Sequence, residues 1–507
     1  MYVVEIDGNN LSIDESIAIS QGKLSVKLSE NAKIKMQKSR DAVEKILSSD
    51  EIVYGINTGF GALSSVKVEA EDINNLQTNL IRSHACGIGK NMDPNHVFMM
   101  MLFRANSLAK GVSGCRVEVV ELLISLINSR IAPVVPRIGS LGASGDLAPL
   151  SHMALTLIGE GECYIKENGN WNIYETKKVL SQVGILPISL MAKEGLSLIN
   201  GTSQMCTYLT YTIRNLELLL MAADFSLACS LESIRGSHAP FDKRIHESRP
   251  QKGQLISAAR ISGLITNSEI NESHKNCERV QDAYCFRCGP QVHGPAIEAI
   301  LESRRILEIE INSATDNPLV FSDNEEINIL SGGNFHGQNL AIASDNLSII
   351  CHELASISER RINQILDPQW SNLTPFLTNK EGLESGLMII QYVAAALISE
   401  LHLLSNSTTT SNVPVSMGKE DHVSMGATGT YRSLKASKYL SQVLANELIC
   451  ATEGLDRIEE SPGLGVQKIK NWVRTIVDPL ESDRSLSKEC ENLSNAILNG
   501  ELSELFG

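Results

Sequence analysis

Three small residues offer the least ordinary chemistry in the chain. The segment Gly139-Ser-Leu-Gly-Ala-Ser-Gly-Asp-Leu-Ala-Pro149 sets Ala143, Ser144 and Gly145 in a row. A nucleophile elbow needs Gly-x-Ser-x-Gly, and Asp146 stands where the last glycine should be, so hydrolase chemistry fails. A different chemistry fits. If the chain bends tightly, the Gly145 nitrogen can attack the carbonyl carbon of Ala143, because glycine has no Cβ to block the approach. Loss of one water on ring closure and of the Ser144 hydroxyl as a second leaves a five-membered methylidene-imidazolone. Its exocyclic methylene is a carbon electrophile, which no ordinary side chain supplies. Asp146–Pro149 reads as a helix start, whose amide dipoles favour negative charge developing on such a ring. The plain alternative is a Gly-rich loop entering a helix. With each residue type at roughly 7%, the tripeptide arises by chance about 0.2 times in a chain of this length, so it needs supporting residues elsewhere.

Several candidates exist. Tyr54 lies among Gly55, Gly59 and Gly61, a composition suited to a mobile lid, although a packing tyrosine beside a turn is the simpler use. Asn200 precedes a long run without Gly or Pro, where its amide can bond a carbonyl oxygen or cap a helix. Arg287 is a single cation in an apolar and aromatic segment. Its fork of donors suits a carboxylate, and a structural ion pair is the competing use. On a helix, Tyr284 and Gln281 would share the face of Arg287 at spacings of three. His274, Cys277, Cys285, Cys288 and His293 form a Cys/His-rich stretch. Zinc sites show two matched pairs, whereas this stretch has one, with Arg287 inside it. Buried thiols and no metal are expected.

These residues must be held by larger elements. Residues 1–200 carry frequent Gly and Pro punctuation, short apolar runs at Val3–Ile6 and Leu24–Leu28, and helical stretches at Ser29–Leu47 and Asn95–Ala109. Cys163–Lys166 and Trp171–Ile173 read as a hairpin. From 201 onward the texture changes: Thr202–Arg235, Gln338–Asp367 and Thr430–Glu453 lack Gly and Pro, and Ala296–Asn312 is a shorter stretch of the same kind. Leu340, Ala343, Leu347, Ile350, Leu354 and Ile357 alternate three and four apart, a heptad-like seam. The expected fold is mainly α: a smaller mixed N-terminal domain (1–200) carrying the electrophile loop, then a bundle of long helices (201–507).

Composition narrows the function further. The 507 residues are 43% hydrophobic and 20% charged, which is globular, and the net charge of −15 disfavours nucleic acid or an anionic membrane as partner. The apolar runs Leu216–Leu231 and Leu387–Leu401 are broken by Glu217, Asp224, Gln391 and Glu400, so neither reads as a membrane span. The start lacks the basic and apolar regions of a signal peptide, and the 11 cysteines are dispersed. A cytoplasmic enzyme acting on a small molecule is expected.

In order along the chain, several segments resemble those of the aromatic amino acid ammonia-lyase family. They are Tyr54-Gly-Ile-Asn-Thr-Gly-Phe-Gly61, Ser83-His84, Gly139–Leu150, Glu194-Gly-Leu-Ser-Leu-Ile-Asn-Gly-Thr202, Gln281-Asp-Ala-Tyr-Cys-Phe-Arg287, Asn312–Pro318, Gly332-Gly-Asn-Phe-His336 and Glu420-Asp-His-Val-Ser-Met425. The resemblance covers nearly the whole chain. It implies that Ala143-Ser144-Gly145 forms the methylidene-imidazolone autocatalytically, with no dissociable cofactor. It implies that Tyr54 removes the β-proton, Asn200 bonds the electrophile's carbonyl oxygen, and Arg287 anchors the substrate carboxylate beside Tyr284 and Gln281. Phe335 would pack against the electrophile; a core phenylalanine is the alternative. It also implies a homotetramer with shared active sites and non-oxidative loss of ammonia from an amino acid.

Within that family the pattern is most similar to members acting on L-histidine, giving trans-urocanate in the opening step of histidine breakdown. A neutral imidazole has one donor and one acceptor, and a pocket for it needs polar partners that a phenyl ring would strand. Glu420 and His84 are the expected partners. A tyrosine or phenylalanine lyase, or an aminomutase, would use the same electrophile with another pocket. A non-catalytic helical assembly protein would keep the seam without the chemistry.

Overall fold

The N-terminal apolar runs form a parallel ladder, Val3–Ile6 against Ser25–Leu28, with Val4, Ile6, Val26 and Leu28 buried. Ser29 caps the next helix, Glu30–Leu47, its hydroxyl accepting from the Ala32 amide. Val43 and Ile46 of that helix join Ile56, Ile73, Ala192 and Val320 in one apolar cluster. The expected hairpin forms between Glu162–Glu167 and Asn170–Glu175, around Asn168 and Gly169 at φ 49° and 86°. The computed structural model describes residues 2–49, 53–59, 68–275, 280–323 and 326–506. It is mainly α, with only small sheets.

Two compact units emerge, neither continuous in sequence. The first comprises Met1–Thr210, Arg305–Ser344 and Ser407–Tyr431; the second comprises Tyr211–Arg304, Asp345–Asn406 and Arg432–Gly507. The long helices are Ser203–Ser233, Gly289–Glu310, Gln338–Leu366 and Gly426–Leu455. Three fall where the Gly- and Pro-free runs predict them. The fourth starts at Gly289 rather than Ala296, running through Pro290 and Pro295. Pro290 falls in the first turn, where proline is tolerated, whereas Pro295 lies inside the helix; the buried His293 fastens this part through Nδ1 to Asp224 at 2.8 Å.

The seam of the Gln338–Leu366 helix is also corrected. Leu340, Leu347 and Leu354 are buried as expected, but Ile350 and Ile357 are only half-buried. Their places are taken by Cys351 and Ser358, so the buried row runs Leu340, Ser344, Leu347, Cys351, Leu354, Ser358, Ile362. Reading apolar letters alone misses this row because small polar residues serve the interior.

Buried hydrogen bonds explain their presence. In the second unit the Glu447 carboxylate is fully buried: Oε1 accepts from Ser230 Oγ (2.7 Å) and Arg361 Nε, and Oε2 from Ser358 Oγ (2.5 Å) and Arg361 Nη2 (2.8 Å). Asn215 Nδ2 donates to Ser437 Oγ at 3.0 Å in the same way. By contrast the Met388–Leu404 helix leaves Ile389, Tyr392, Val393 and Leu403 exposed. Among the described residues no helix is long and apolar enough to cross a membrane.

Removing one partner of a buried ion pair leaves the other charge uncompensated. Glu447→Gln should therefore destabilise the fold by about 3–5 kcal/mol. The denaturant midpoint is the measurement, and an unchanged midpoint would show that Arg361 finds other compensation.

Candidate active site

The Ala143-Ser144-Gly145 loop is defined by backbone contacts. Gly145 adopts φ +75° and forms a bridge with Gly201. A Cβ placed on Gly145 would lie 2.3 Å from the Gly201 carbonyl oxygen, so only glycine fits. On the upstream side, Ser424 Oγ donates to the Gly142 carbonyl (2.9 Å) and the Met425 amide to the Leu141 carbonyl (2.8 Å). The 420–425 segment is thereby tied to the loop. Ala143 is buried and Ser144 half-buried.

Asp146 locks the downstream side. Its amide donates to the Gly201 carbonyl at 2.7 Å, and the expected helix follows at Leu147–Leu157. Its carboxylate does not cap that helix. Instead Oδ2 accepts from the Gln204 and Met205 amides (2.8 and 3.1 Å), two first-turn donors of the Ser203–Ser233 helix. Thr202, which sits at that helix's start, gives its hydroxyl to Glu310 at 2.7 Å. Ser140 Oγ bonds Asp146 Oδ1 at 2.9 Å. Complete burial outweighs these three donors and pushes the Asp146 carboxyl up to about 7.

Asn200 ends the Glu194–Ile199 helix, adjacent to this contact. It is buried and serves as that helix's C-cap through its backbone amide, which donates to the Leu196 carbonyl at 3.0 Å, while its side-chain oxygen has no hydrogen-bond partner. Around it run charged contacts that the sequence reading passed over. Arg104 Nη1 donates to the Asn200 carbonyl at 2.8 Å, and Lys193 pairs with Asp316 at 2.7 Å, all buried. Glu194 takes the Arg116 fork at 2.7 and 2.8 Å. The signal for Arg104 is a lone charge in the otherwise apolar stretch from Val97 to Ala105.

His84 ends the Ile73–His84 helix, with Nδ1 3.0 Å from Ser83 Oγ. Burial lowers its pKa, while a Leu80 backbone bond and the Glu420 charge oppose that shift. Glu420 sits on a short closed loop, exchanging backbone bonds with Val415 at 3.0 and 3.3 Å. Phe335 is half-buried in the turn ahead of the Gln338–Leu366 helix, next to His336, whose ring stacks on His422 at 5.9 Å.

Tyr54 borders a cavity of about 520 Å³ lined by Lys45, Ile46, Ser49, Val53, Ile327 and Ile329, whose walls do not include residues 143–145. Phe60 and Gly61 of its motif, and Cys277, lie outside the described residues. Gln281, Tyr284 and Arg287 belong to the second unit. The helix there is only Tyr284–Arg287, so Gln281 precedes it and the shared helical face expected for Gln281 does not exist. The Arg287 guanidinium stands 4.7 Å from the Tyr284 ring centre, and its buried Nε has no partner. Among the described residues no group of three or more His, Cys, Asp or Glu side chains is placed to hold a metal ion.

The sequence pattern of the family "aromatic amino acid lyase" matches residues 11–475. The chain belongs to the aromatic amino acid lyases. This lyase is 44% identical to the histidine ammonia-lyase of Myxococcus xanthus over 498 residues, which cover 98% of this chain and 97% of that one. It is 43% identical to the histidine ammonia-lyase of Caldanaerobacter subterraneus, over 100% of this chain and 98% of that one. The crystal structure of histidine ammonia-lyase from Trypanosoma cruzi matches with a TM-score of 0.91 and 36% identity, covering 99% and 94% of the two chains. A tyrosine aminomutase from Streptomyces globisporus also reaches 0.91, at 34% identity and 99% and 98% coverage. Backbone shape therefore does not separate these activities.

Because the folded Asp146 carboxyl sits at about 7, it holds its proton more tightly than in the unfolded chain. Its contribution to stability is full below about pH 4 and is lost as the pH rises through the folded value. Asp146→Asn does not titrate, so its denaturation midpoint should rise relative to the native chain's between about pH 4 and 7. A constant offset across that range would contradict the assignment.

Proposed function

We propose that this lyase eliminates ammonia from L-histidine, giving trans-urocanate, at a site built on Ala143-Ser144-Gly145. The observation that carries the substrate is that His84 and Glu420 fall in the unit that holds the loop, with the segment that follows Glu420 bonded to the loop through Ser424 and Met425. Together they offer an imidazole an acceptor and a second polar contact. A phenyl ring would strand both, at roughly 1–3 kcal/mol for each unpaired group. The full-length likeness to histidine ammonia-lyases supports the same reading.

The reaction is difficult because the β-hydrogen is weakly acidic and the amine leaves poorly. The residues at the loop fit a methylidene-imidazolone: Gly145 is held where no side chain fits, and the buried Asn200, whose amide nitrogen is the donor a ring carbonyl needs, adjoins the Gly145–Gly201 contact. The Gly145 nitrogen would close on the Ala143 carbonyl carbon, releasing water, and the Ser144 hydroxyl would leave as a second water. The group so formed supplies a carbon electrophile.

The chain's own residues do the rest. Asn200 orients the ring's carbonyl oxygen and Phe335 packs beside it. Arg287 takes the substrate carboxylate, with Tyr284 against its guanidinium and Gln281 nearby in sequence; the buried, unpartnered Nε supports a free fork there. Tyr54 takes the β-proton. A homotetramer with shared sites is part of this proposal, supported by the exposed apolar face of the Met388–Leu404 helix. A cytoplasmic setting is supported by the free thiols of the described cysteines.

Two measurements test this reading. Intact mass should fall below the sequence mass by two waters, and Ser144→Ala should lose that signature together with turnover. Glu420→Gln should cut histidine turnover by about 10-fold to 100-fold, followed as the unsaturated product by ultraviolet absorbance. Faster turnover of tyrosine than of histidine by the unmutated enzyme would overturn the substrate.

A further inference from the structure

Arg104 is a charge in an expensive place. Every residue from Val97 to Ala109 in its helix is buried, and the guanidinium itself has no exposure. Burial lowers its pKa, with Asp316 nearby as partial compensation. Yet Asp316 is already engaged: Oδ2 receives Lys193 Nζ at 2.7 Å and Ser197 Oγ at 3.1 Å, and Oδ1 receives the Asn317 amide at 2.7 Å. Arg104 Nε and Nη2 have no partner. Its directed contact is the 2.8 Å bond from Nη1 to the Asn200 carbonyl. A buried cation with most of its donors idle is a poor stabiliser of the fold.

The contact is placed with purpose. A Cβ on Gly201 would lie 2.0 Å from Arg104 Nη1, so the guanidinium rests directly on the Gly201 α-carbon. A Cβ on Gly145 would in turn lie 2.3 to 2.6 Å from the Gly201 backbone. The Asn200–Gly201 peptide is wedged between the arginine and the electrophile loop. We propose that Arg104 is a positioning residue for this lyase: by holding the Asn200 carbonyl and backing Gly201, it aims the Asn200 amide at residues 143–145 and keeps Gly145 compressed. The inference rests on the reading of Asn200 and the electrophile loop given above.

The test uses Arg104→Met, which removes charge and donors, and Arg104→Lys, which keeps the charge and one donor direction. Thermal midpoint, intact mass, and kcat and KM with histidine are read on the full-length enzyme. For Arg104→Met a misaimed Asn200 predicts kcat lower by about a hundredfold and KM within about twofold. Fewer molecules should show the two-water mass loss. Arg104→Lys should recover about tenfold of the lost kcat. Native kcat and a complete mass loss in Arg104→Met would overturn the proposal, as would a loss unrelieved by lysine and accompanied by a raised KM. Should the methionine variant not fold, Arg104→Lys alone decides: reduced kcat at native KM and midpoint supports positioning, and native kcat overturns it. Asn200→Ala run beside them separates the two readings. If it retains native kcat, the role of Asn200 fails and this inference with it; if it loses kcat while the Arg104 variants stay native, only the inference fails.

Discussion

One carboxylate joins the two things this site needs, a bent loop and a fixed helix start. Asp146 follows Ala143-Ser144-Gly145 directly, and its Oδ2 is spent on the first-turn amides of a helix that begins nearly sixty residues later in sequence. Helix starts leave donors that must be met by something, and meeting them from a distant loop fixes the loop as firmly as the helix. The same residue's amide holds Gly201, so loop, turn and helix form a single unit of geometry. Burial works against the ionised form of Asp146, and the three donors work for it. The loop's rigidity thus depends on an acid balanced near neutrality.

The second unit uses a related device on a larger scale. Glu447 gathers two serines and an arginine in a fully buried cluster, and Arg361 of that cluster also donates to the Cys285 carbonyl at 3.3 Å. Cys285 lies two residues before Arg287. Directed bonds of this kind constrain rotation and sliding of long helices more than interchangeable apolar contacts do. They also hold the backbone from which the proposed carboxylate anchor projects.

Much of this was legible from the sequence, for identifiable reasons. Ser29, Asn168-Gly169 and the Gly- and Pro-free runs announce local structure through rules that need no tertiary partner, and the structure forms a capped helix, a hairpin and long helices there. The tripeptide Ala143-Ser144-Gly145 stands out because the chemistry it suggests is written in three adjacent letters, and the structure places it in a tightly bent loop. What escaped depends on distant partners. Ser344 and Ser358 look like surface residues until Glu447 and the buried row are known. Asp146 looks like a cap for the helix that follows it, and caps another. Gln281 was assigned a helical face on spacing alone, but the helix begins three residues later. Arg104 had a signal, a single cation in an apolar run, whose meaning emerged only with Asn200 placed beside it.

The close approach of Gly145 to Gly201 has a consequence for how such an enzyme can vary. The geometry of this contact is written in main-chain atoms, because hydrogen is the only substituent either position accepts. Randomising those two codons would leave one usable letter at each. Glu420, in contrast, is carried on a small loop closed upon Val415, with Ser416, Met417 and Gly418 all at positive φ and Met417 almost fully exposed. Editing that loop disturbs few packed atoms. The architecture separates an invariant backbone grammar from a side-chain vocabulary free to change, and divergence toward new amino acids has an open route through the second alone.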